Sequence, residues 1–113
     1  MKLSETTIGD VVVLEMSGKI MGGPDATILN DKLHELIEQG KHKTVANLAR
    51  IDWMNSSGLG ILIGGLTTMR NHNGDLKLAQ VTERIRSLLK ITRLHNIFEM
   101  YDTVEEAVAS YEK

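Results

Sequence analysis

Strand-type and helix-type apolar patterns alternate along the whole chain, and this alternation restricts the fold more than any other feature of the sequence. Short β-tolerant segments at residues 2–7 and 11–16 flank an Ile8-Gly9-Asp10 turn and predict an opening hairpin. Beyond the hairpin, segments with a helical period of 3.6 residues alternate with short apolar segments of strand length. Strands that alternate with helices imply right-handed crossovers and a mostly parallel sheet.

The first two predicted helices have recognisable ends. Pro24 suits the first position of a helix over about residues 24–39, and Gly40 is placed to end it. The second helix is predicted to begin at the serines of WMNSSGLGIL, residues 53–62, with either Asn55 or Ser56 as its N-cap, and to stop at Asn73-Gly74. The motif WMNSSGLGIL therefore contains a helix start.

The second half of the chain repeats the pattern. Thr82 is predicted to open a third helix, and Thr103 with Glu106 forms a capping box before a fourth, amphipathic helix. Strands are predicted between the helices at residues 44–49, 76–81 and 97–100. Together these elements predict one α/β domain over residues 1–113, with an N-terminal β-hairpin, a mostly parallel central sheet of about five strands, and about four helices.

Composition narrows the functional classes. The 113 residues are 42% hydrophobic with a net charge of −2, which is typical of a globular protein and argues against nucleic acid or membrane insertion. The chain has no cysteine, so a thiolate metal site and a cysteine nucleophile are excluded. The charged start of the sequence lacks the apolar core of a signal peptide, and a cytoplasmic location is expected.

Metal and cofactor sites are not predicted. No two of the four histidines lie three or four residues apart on a predicted helix, and we interpret them as surface or partly buried side chains: His34, His42, His72 and His95. Gly58, Gly60 and Gly64 resemble a phosphate loop, but Ile63 occupies the place of the third glycine of a dinucleotide fingerprint. The glycines instead predict close approach of this helical turn to whatever covers it, either the sheet or a docked partner.

The serines suit a switch better than a nucleophile. Ser56 and Ser57 lack the GxSxG elbow of serine hydrolases, so no enzymatic activity is predicted. A serine in the first turn of a helix is a favourable site for a phosphate, because unpaired N–H groups and the positive end of the helix dipole lie there. The added charge would oppose a partner docked over Ser56 and Gly58 with little change in fold.

The chain resembles the STAS domain family of bacterial anti-sigma factor antagonists over essentially all of its length. The most specific element is the run at residues 54–62, where the family typically reads D-S-[ST]-G-[LI]-G. Ser56 matches the family's phosphorylated serine, and Ser57, Gly58, Leu59 and Gly60 fit the motif. The resemblance implies no cofactor, and a monomer or weak homodimer whose residues 55–60 contact the partner.

The family's function is partner switching. The unphosphorylated antagonist captures an anti-sigma factor of the GHKL ATPase fold and so frees the sigma factor; phosphorylation of the serine by this kinase breaks the complex, and a phosphatase restores it. Asn55 departs from the family's aspartate and keeps the capping role without the charge. The alternative is a constitutive STAS module, not phosphorylated, in a stressosome-like scaffold or a lipid-transport ATPase complex.

Two further features admit a structural and a functional interpretation. Trp53 precedes the motif, and a single tryptophan there is more often a packing residue than a contact residue. The third helix carries a basic run that is more often a solvated face, although it would also suit an acidic partner. The run comprises Arg84, Arg86, Lys90 and Arg93.

Overall fold

Five strands form one sheet in the order in which they occur along the chain, in a computed structural model that describes residues 1–112. The first two strands are antiparallel, and every later neighbour is parallel. The predicted α/β class, strand and helix numbers and N-terminal hairpin are confirmed. The elements are β1 (Lys2–Ile8), β2 (Val11–Ile20), α1 (Pro24–Glu38), β3 (Lys43–Met54), α2 (Ser56–Asn71), β4 (Asp75–Ala79), α3 (Glu83–Ile91), β5 (Met100–Tyr101) and α4 (Val104–Ala109), followed by a 3-10 turn at Ser110–Glu112.

The two faces of the sheet are covered by different helices. Because side chains alternate along a strand, Val12 and Leu14 of β2 enter the larger core with the apolar faces of α1, α2 and α3. Val11 and Val13 point to the opposite face, where they pack with the apolar side of α4. The strands follow one another in the sheet and the crossovers have one hand, so α1, α2 and α3 lie on the same side of the sheet. Helix α4 covers part of the other side.

Strands β2 and β3 both run further than predicted. The structure extends β2 to Ile20 and β3 to Met54, because the two strands continue to pair beyond irregularities in their register. Polar residues alternate with apolar ones in this part of β3, so the predicted apolar run at residues 44–49 ended too early. The extension matters for function because it carries β3 directly to the start of α2.

The later strands are shorter than predicted. Strand β4 ends at Ala79, so Val81 lies outside it. The bounds of the strand predicted at residues 97–100 are wrong: β5 covers Met100–Tyr101, and Ile97 lies in a turn closed by its N–H on the Leu94 carbonyl oxygen. Phe98 is buried because it fills the core and not because it belongs to the strand. Within residues 1–112, no helix combines the length and the apolar composition needed to cross a bilayer.

Tyr111 attaches the end of the chain to the centre of the sheet. Its hydroxyl donates a hydrogen bond to the Thr44 carbonyl oxygen at 2.7 Å and accepts one from the Thr44 N–H at 3.3 Å. Burial is the main cause that raises the pKa of Tyr111 above its ordinary value, so the hydroxyl keeps its proton at neutral pH.

We expect Tyr111→Phe to lower the free energy of unfolding by about 1–2 kcal/mol, because both hydrogen bonds to Thr44 are lost. The matched control is Tyr101→Phe, since the Tyr101 hydroxyl bonds only the exposed Glu99 carboxylate in the described residues, at 2.9 Å. That change should remain within about 0.5 kcal/mol of the parent protein. Urea denaturation measures both, and equal losses would contradict a structural role for the Tyr111 contact.

Candidate functional site

The junction between β3 and α2 is built around Asn55. This residue has an extended backbone with φ −106° and ψ −176°, and its side-chain oxygen accepts the Gly58 N–H at 2.8 Å. Asn55 is therefore the N-cap that the sequence left open between residues 55 and 56. Its amide nitrogen donates to the Met21 carbonyl oxygen at 3.4 Å, so both polar groups of the side chain are engaged.

Ser56 and Ser57 are the first two residues of α2, and both are exposed. The first helical hydrogen bond runs from the Leu59 N–H to the Asn55 carbonyl oxygen at 2.9 Å, and the Asn55 side chain takes the Gly58 N–H. No carboxylate lies in this first turn, whereas the first turns of α1, α3 and α4 each carry at least one. The positive end of the α2 dipole thus faces solvent without a compensating negative charge.

Gly58 is required by the fold. Its backbone lies so close to β2 that an added Cβ would be 1.9 Å from the Ile20 carbonyl oxygen. Gly60, two residues further along the helix, is exposed, and an added Cβ there would meet no atom within 4 Å. The sequence predicted that either the sheet or a docked partner covers this turn. The sheet covers Gly58, whereas the surface at Gly60 is open.

A groove of about 260 Å³ lies between α1 and α2 beside the serines. The β2–α1 loop approaches Ser57 closely, because an added Cβ on Gly22 would be 3.5 Å from the Ser57 Cβ. The residues predicted to contact a partner thus divide by exposure: Ser56, Ser57 and Gly60 are accessible, Asn55 is half-buried, and Gly58 and Leu59 are buried. The groove is lined in part by Ala26, Asn30, Ser57, Gly60, Ile61 and Gly64.

Exposed apolar side chains surround the junction. Met21 is 48% exposed, Trp53 42% and Ile28 39%, and each lies at or near the edge of the sheet where β2 and β3 end. Sequence reasoning singled out Trp53 and missed the other two. The carboxyl ends of adjacent parallel strands meet at one edge, but the predicted second strand ended at residue 16, so the sequence prediction carried no signal for Met21.

Trp53 is not a core residue. The guanidinium carbon of Arg84 lies 4.9 Å from the centroid of its ring, a cation–π arrangement, and the ring remains partly open to solvent. The ring therefore packs on Arg84 and not in the core, and a role of its exposed area in partner contact stays a prediction.

The histidines are closer than their sequence spacing suggests. The rings of His34 and His72, at the end of α2, are 5.9 Å apart in an edge-to-face arrangement. His72 Nδ1 also lies 2.8 Å from the Thr68 carbonyl oxygen. Among residues 1–112 no three potential ligands of the His, Cys, Asp and Glu types are grouped to hold a metal ion.

We expect Asn55→Ala to lower the free energy of unfolding by about 1 kcal/mol, because the Gly58 N–H loses its cap. Asn55→Asp should stay within about 0.5 kcal/mol of the parent, since the carboxylate keeps the cap and suits the helix dipole while losing the bond to Met21. Thermal or urea unfolding of the pair measures both. A loss in the aspartate variant as large as that in the alanine variant would show that the Met21 bond, which both variants lose, contributes more than the Gly58 cap.

The chain is similar to proteins of one known family. The family model for the STAS domain matches residues 2–107. An anti-sigma-B factor antagonist of Bacillus subtilis is 35% identical over 75 residues, which cover 66% of this chain and 68% of the relative.

Two solved structures share the fold. A Thermotoga maritima protein described as an anti-sigma factor antagonist superposes with a TM-score of 0.87 at 22% identity, covering 98% of this chain and 95% of its own. The phosphorylated form of the Bacillus cell fate determinant SpoIIAA gives 0.74 at 21% identity, covering 97% and 99%. SpoIIAA is also known unphosphorylated, and is described there as an anti-sigma factor antagonist. At these identities the two structures show the fold alone.

Proposed function

The chain belongs to the STAS domain family, and on that premise we propose that it is a cytoplasmic anti-sigma factor antagonist switched by phosphorylation of Ser56. In this proposal the unphosphorylated protein binds an anti-sigma factor that is also a serine kinase of the GHKL ATPase fold, and so releases a sigma factor. The kinase inactivates the antagonist by phosphorylating Ser56, and a phosphatase reverses the change. The protein is then a binding module and a kinase substrate, not an enzyme.

One observation carries the proposal: Ser56 is an exposed hydroxyl at the first position of a helix whose first turn holds no carboxylate. A phosphate there would carry a charge of about −1.5 to −2 and would meet free N–H groups and the positive dipole end. The phosphorylated helix would therefore be as stable as the parent helix or more so. The 35% identical relative, an anti-sigma-B factor antagonist, supports the class of partner.

The binding surface is proposed to combine the start of α2 with its neighbours. Asn55 and the buried pair Gly58 and Leu59 set the position of the turn, while Ser56, Ser57 and Gly60 contact the partner. The open space at Gly60 supports close approach by a partner chain. A phosphate on Ser56 would place a desolvated negative charge in such an interface and so weaken the complex.

Asn55 favours one alternative. Both the oxygen and the nitrogen of its amide form a hydrogen bond, to the Gly58 N–H and the Met21 carbonyl oxygen, and the side chain carries no charge to take a proton from the Ser56 hydroxyl. If Ser56 is not phosphorylated, the same surface serves a constitutive STAS module in a stressosome-like scaffold or a lipid-transport ATPase complex.

Affinity purification from the native cell separates these functions. The parent protein and Ser56→Asp are used as baits, with Asn71→Asp as the matched charge control, because Asn71 is the exposed last residue of α2, about 22 Å along the helix axis from Ser56. Recovery of a GHKL-type kinase by the parent and Asn71→Asp baits, but not by Ser56→Asp, is expected. Recovery of a transporter ATPase or a large scaffold by all three baits would contradict the switch and favour the constitutive module.

A further inference from the structure

Apart from Lys2, the lysine and arginine side chains of the described residues that lack a carboxylate partner lie near the end of β2, on α3 or just after it. Within residues 1–112, six lysine and arginine side chains form ion pairs with a carboxylate: Lys32, Lys41, Lys43, Arg50, Arg70 and Lys77. Lys19, Arg84, Arg86, Lys90 and Arg93 have no carboxylate at ion-pair distance among the same described residues. A chain with a net charge of −2 therefore has a local cationic surface.

Two of these cations flank the exposed tryptophan. Lys19 of β2 is the register partner of Trp53 in β3, so their side chains are neighbours on the sheet. Ile20 and Met54, the next residues of both strands, are buried in the core, which directs Lys19 and Trp53 to the opposite side. Arg84 lies over the Trp53 ring at 4.9 Å. We call Lys19, Trp53 and Arg84 the Trp53 patch.

Arg84 does not stabilise the helix that carries it. It is the second residue of α3, and a cation in a first turn faces the positive end of the helix dipole. Glu83 and Asp52, the carboxylates closest to the patch along the chain, form no ion pair with it among the described residues. Arg84 is thus held on the ring with its guanidinium free for an external acid.

The Trp53 patch lies within electrostatic range of Ser56. Three residues of extended chain span at most about 11 Å, so the Trp53 and Ser56 Cα atoms are no further apart than this. The Debye length is about 8 Å at physiological ionic strength and about 30 Å at 0.01 M, so a charge added to Ser56 acts on the patch most strongly at low salt. A phosphate on Ser56 would therefore reduce the positive potential that the patch presents.

We propose that the Trp53 patch binds an acidic surface segment of the protein partner. Carboxylates of that segment pair with Arg84 and Lys19, and an apolar side chain packs on the exposed part of Trp53. Phosphorylation of Ser56 opposes this contact by supplying negative charge beside the two cations. The inference rests on the proposed function for the identity of the partner, but the acid-binding property belongs to the patch itself.

A hexaglutamate peptide is the probe for the patch, with hexalysine as the charge-reversed control. Trp53 is the only tryptophan of the chain, so its fluorescence reports binding at this position without a label. We expect hexaglutamate, and not hexalysine, to change the emission at about 20 mM salt, and the affinity to fall strongly at about 200 mM. Arg84→Gln and Lys19→Gln should each lower the affinity about threefold, measured by calorimetry, and the double variant about tenfold.

Lys90→Gln is the matched control, because Lys90 is an unpaired cation of the same helix about 9 Å along the axis from Arg84. It should change the affinity less than twofold. The proposal that the Trp53 patch binds acidic segments is overturned if hexaglutamate does not bind. It is also overturned if Lys90→Gln lowers the affinity as much as Arg84→Gln does.

The same variants are then tested against the purified partner. If Ser56→Asp releases that partner while the Lys19 and Arg84 double variant binds it normally, the patch is overturned and the proposed switch stands. If instead the double variant weakens binding and Ser56→Asp does not, the patch stands and the switch fails.

Discussion

Gly58→Ala is expected to lower the free energy of unfolding by about 3 kcal/mol. No other addition of one methyl group within residues 53–62 should cost as much. The added Cβ would lie 1.9 Å from the Ile20 carbonyl oxygen, and this neighbour is backbone of a central strand that cannot rotate away. Relief requires α2 to move from β2, which disturbs the surrounding core. Urea denaturation monitored by Trp53 fluorescence measures the loss.

Gly60→Ala is the matched control, and its effect should have the opposite sign. An added Cβ at Gly60 meets no atom within 4 Å, and alanine is the better helix former by about 1 kcal/mol. We therefore expect the free energy of unfolding to rise by about 0.5–1 kcal/mol. Equal responses at both positions would contradict the assignment of Gly58 to the sheet and of Gly60 to an open surface.

Ser56→Asp is expected to lower the affinity for the anti-sigma factor by at least about 100-fold. The new carboxylate places an unpaired charge in the centre of the proposed interface, where like charges and lost solvation are worth several kcal/mol. The folded protein should not suffer, because a negative charge at the first position of α2 interacts favourably with the helix dipole by about 0.3–1 kcal/mol.

Calorimetric binding and thermal unfolding of the same Ser56→Asp sample separate the two effects. Asn71→Asp, which adds the same charge at the far end of α2, should bind within about twofold of the parent. Unfolding of Ser56→Asp would show that the serine is structural. Unchanged affinity would show that the start of α2 is not the contact surface.

Local chemistry explains why the element starts could be predicted from the sequence. Asn55, Thr82 and Thr103 each accept a backbone N–H three residues further on, so the information for the cap lies within one helical turn. At the fourth helix the predicted capping box is only half formed, because the Glu106 carboxylate accepts from the Thr103 hydroxyl rather than from its N–H.

Contacts between distant residues explain what could not be predicted. Arg84 reaches Trp53 across 31 positions, and His34 meets His72 across 38, distances along the chain that no periodicity reports. Both positions are glycine, but only Gly58 lies against β2 while Gly60 is open to solvent, and this difference depends on where β2 lies in the fold. The motif could therefore be located from the sequence, but which of its residues are exposed could be determined only from the folded structure.

Localisation of phosphate after incubation with ATP and the purified anti-sigma factor tests the central claim most directly. Peptide mass spectrometry should find one phosphate, on Ser56, and the phosphorylated protein should no longer bind that factor. Ser56→Ala should take up no phosphate while it still binds, and Ser57→Ala should still be modified. An unmodified Ser56 in the presence of a bound, ATP-hydrolysing partner, or a complex that survives full phosphorylation, would contradict the account.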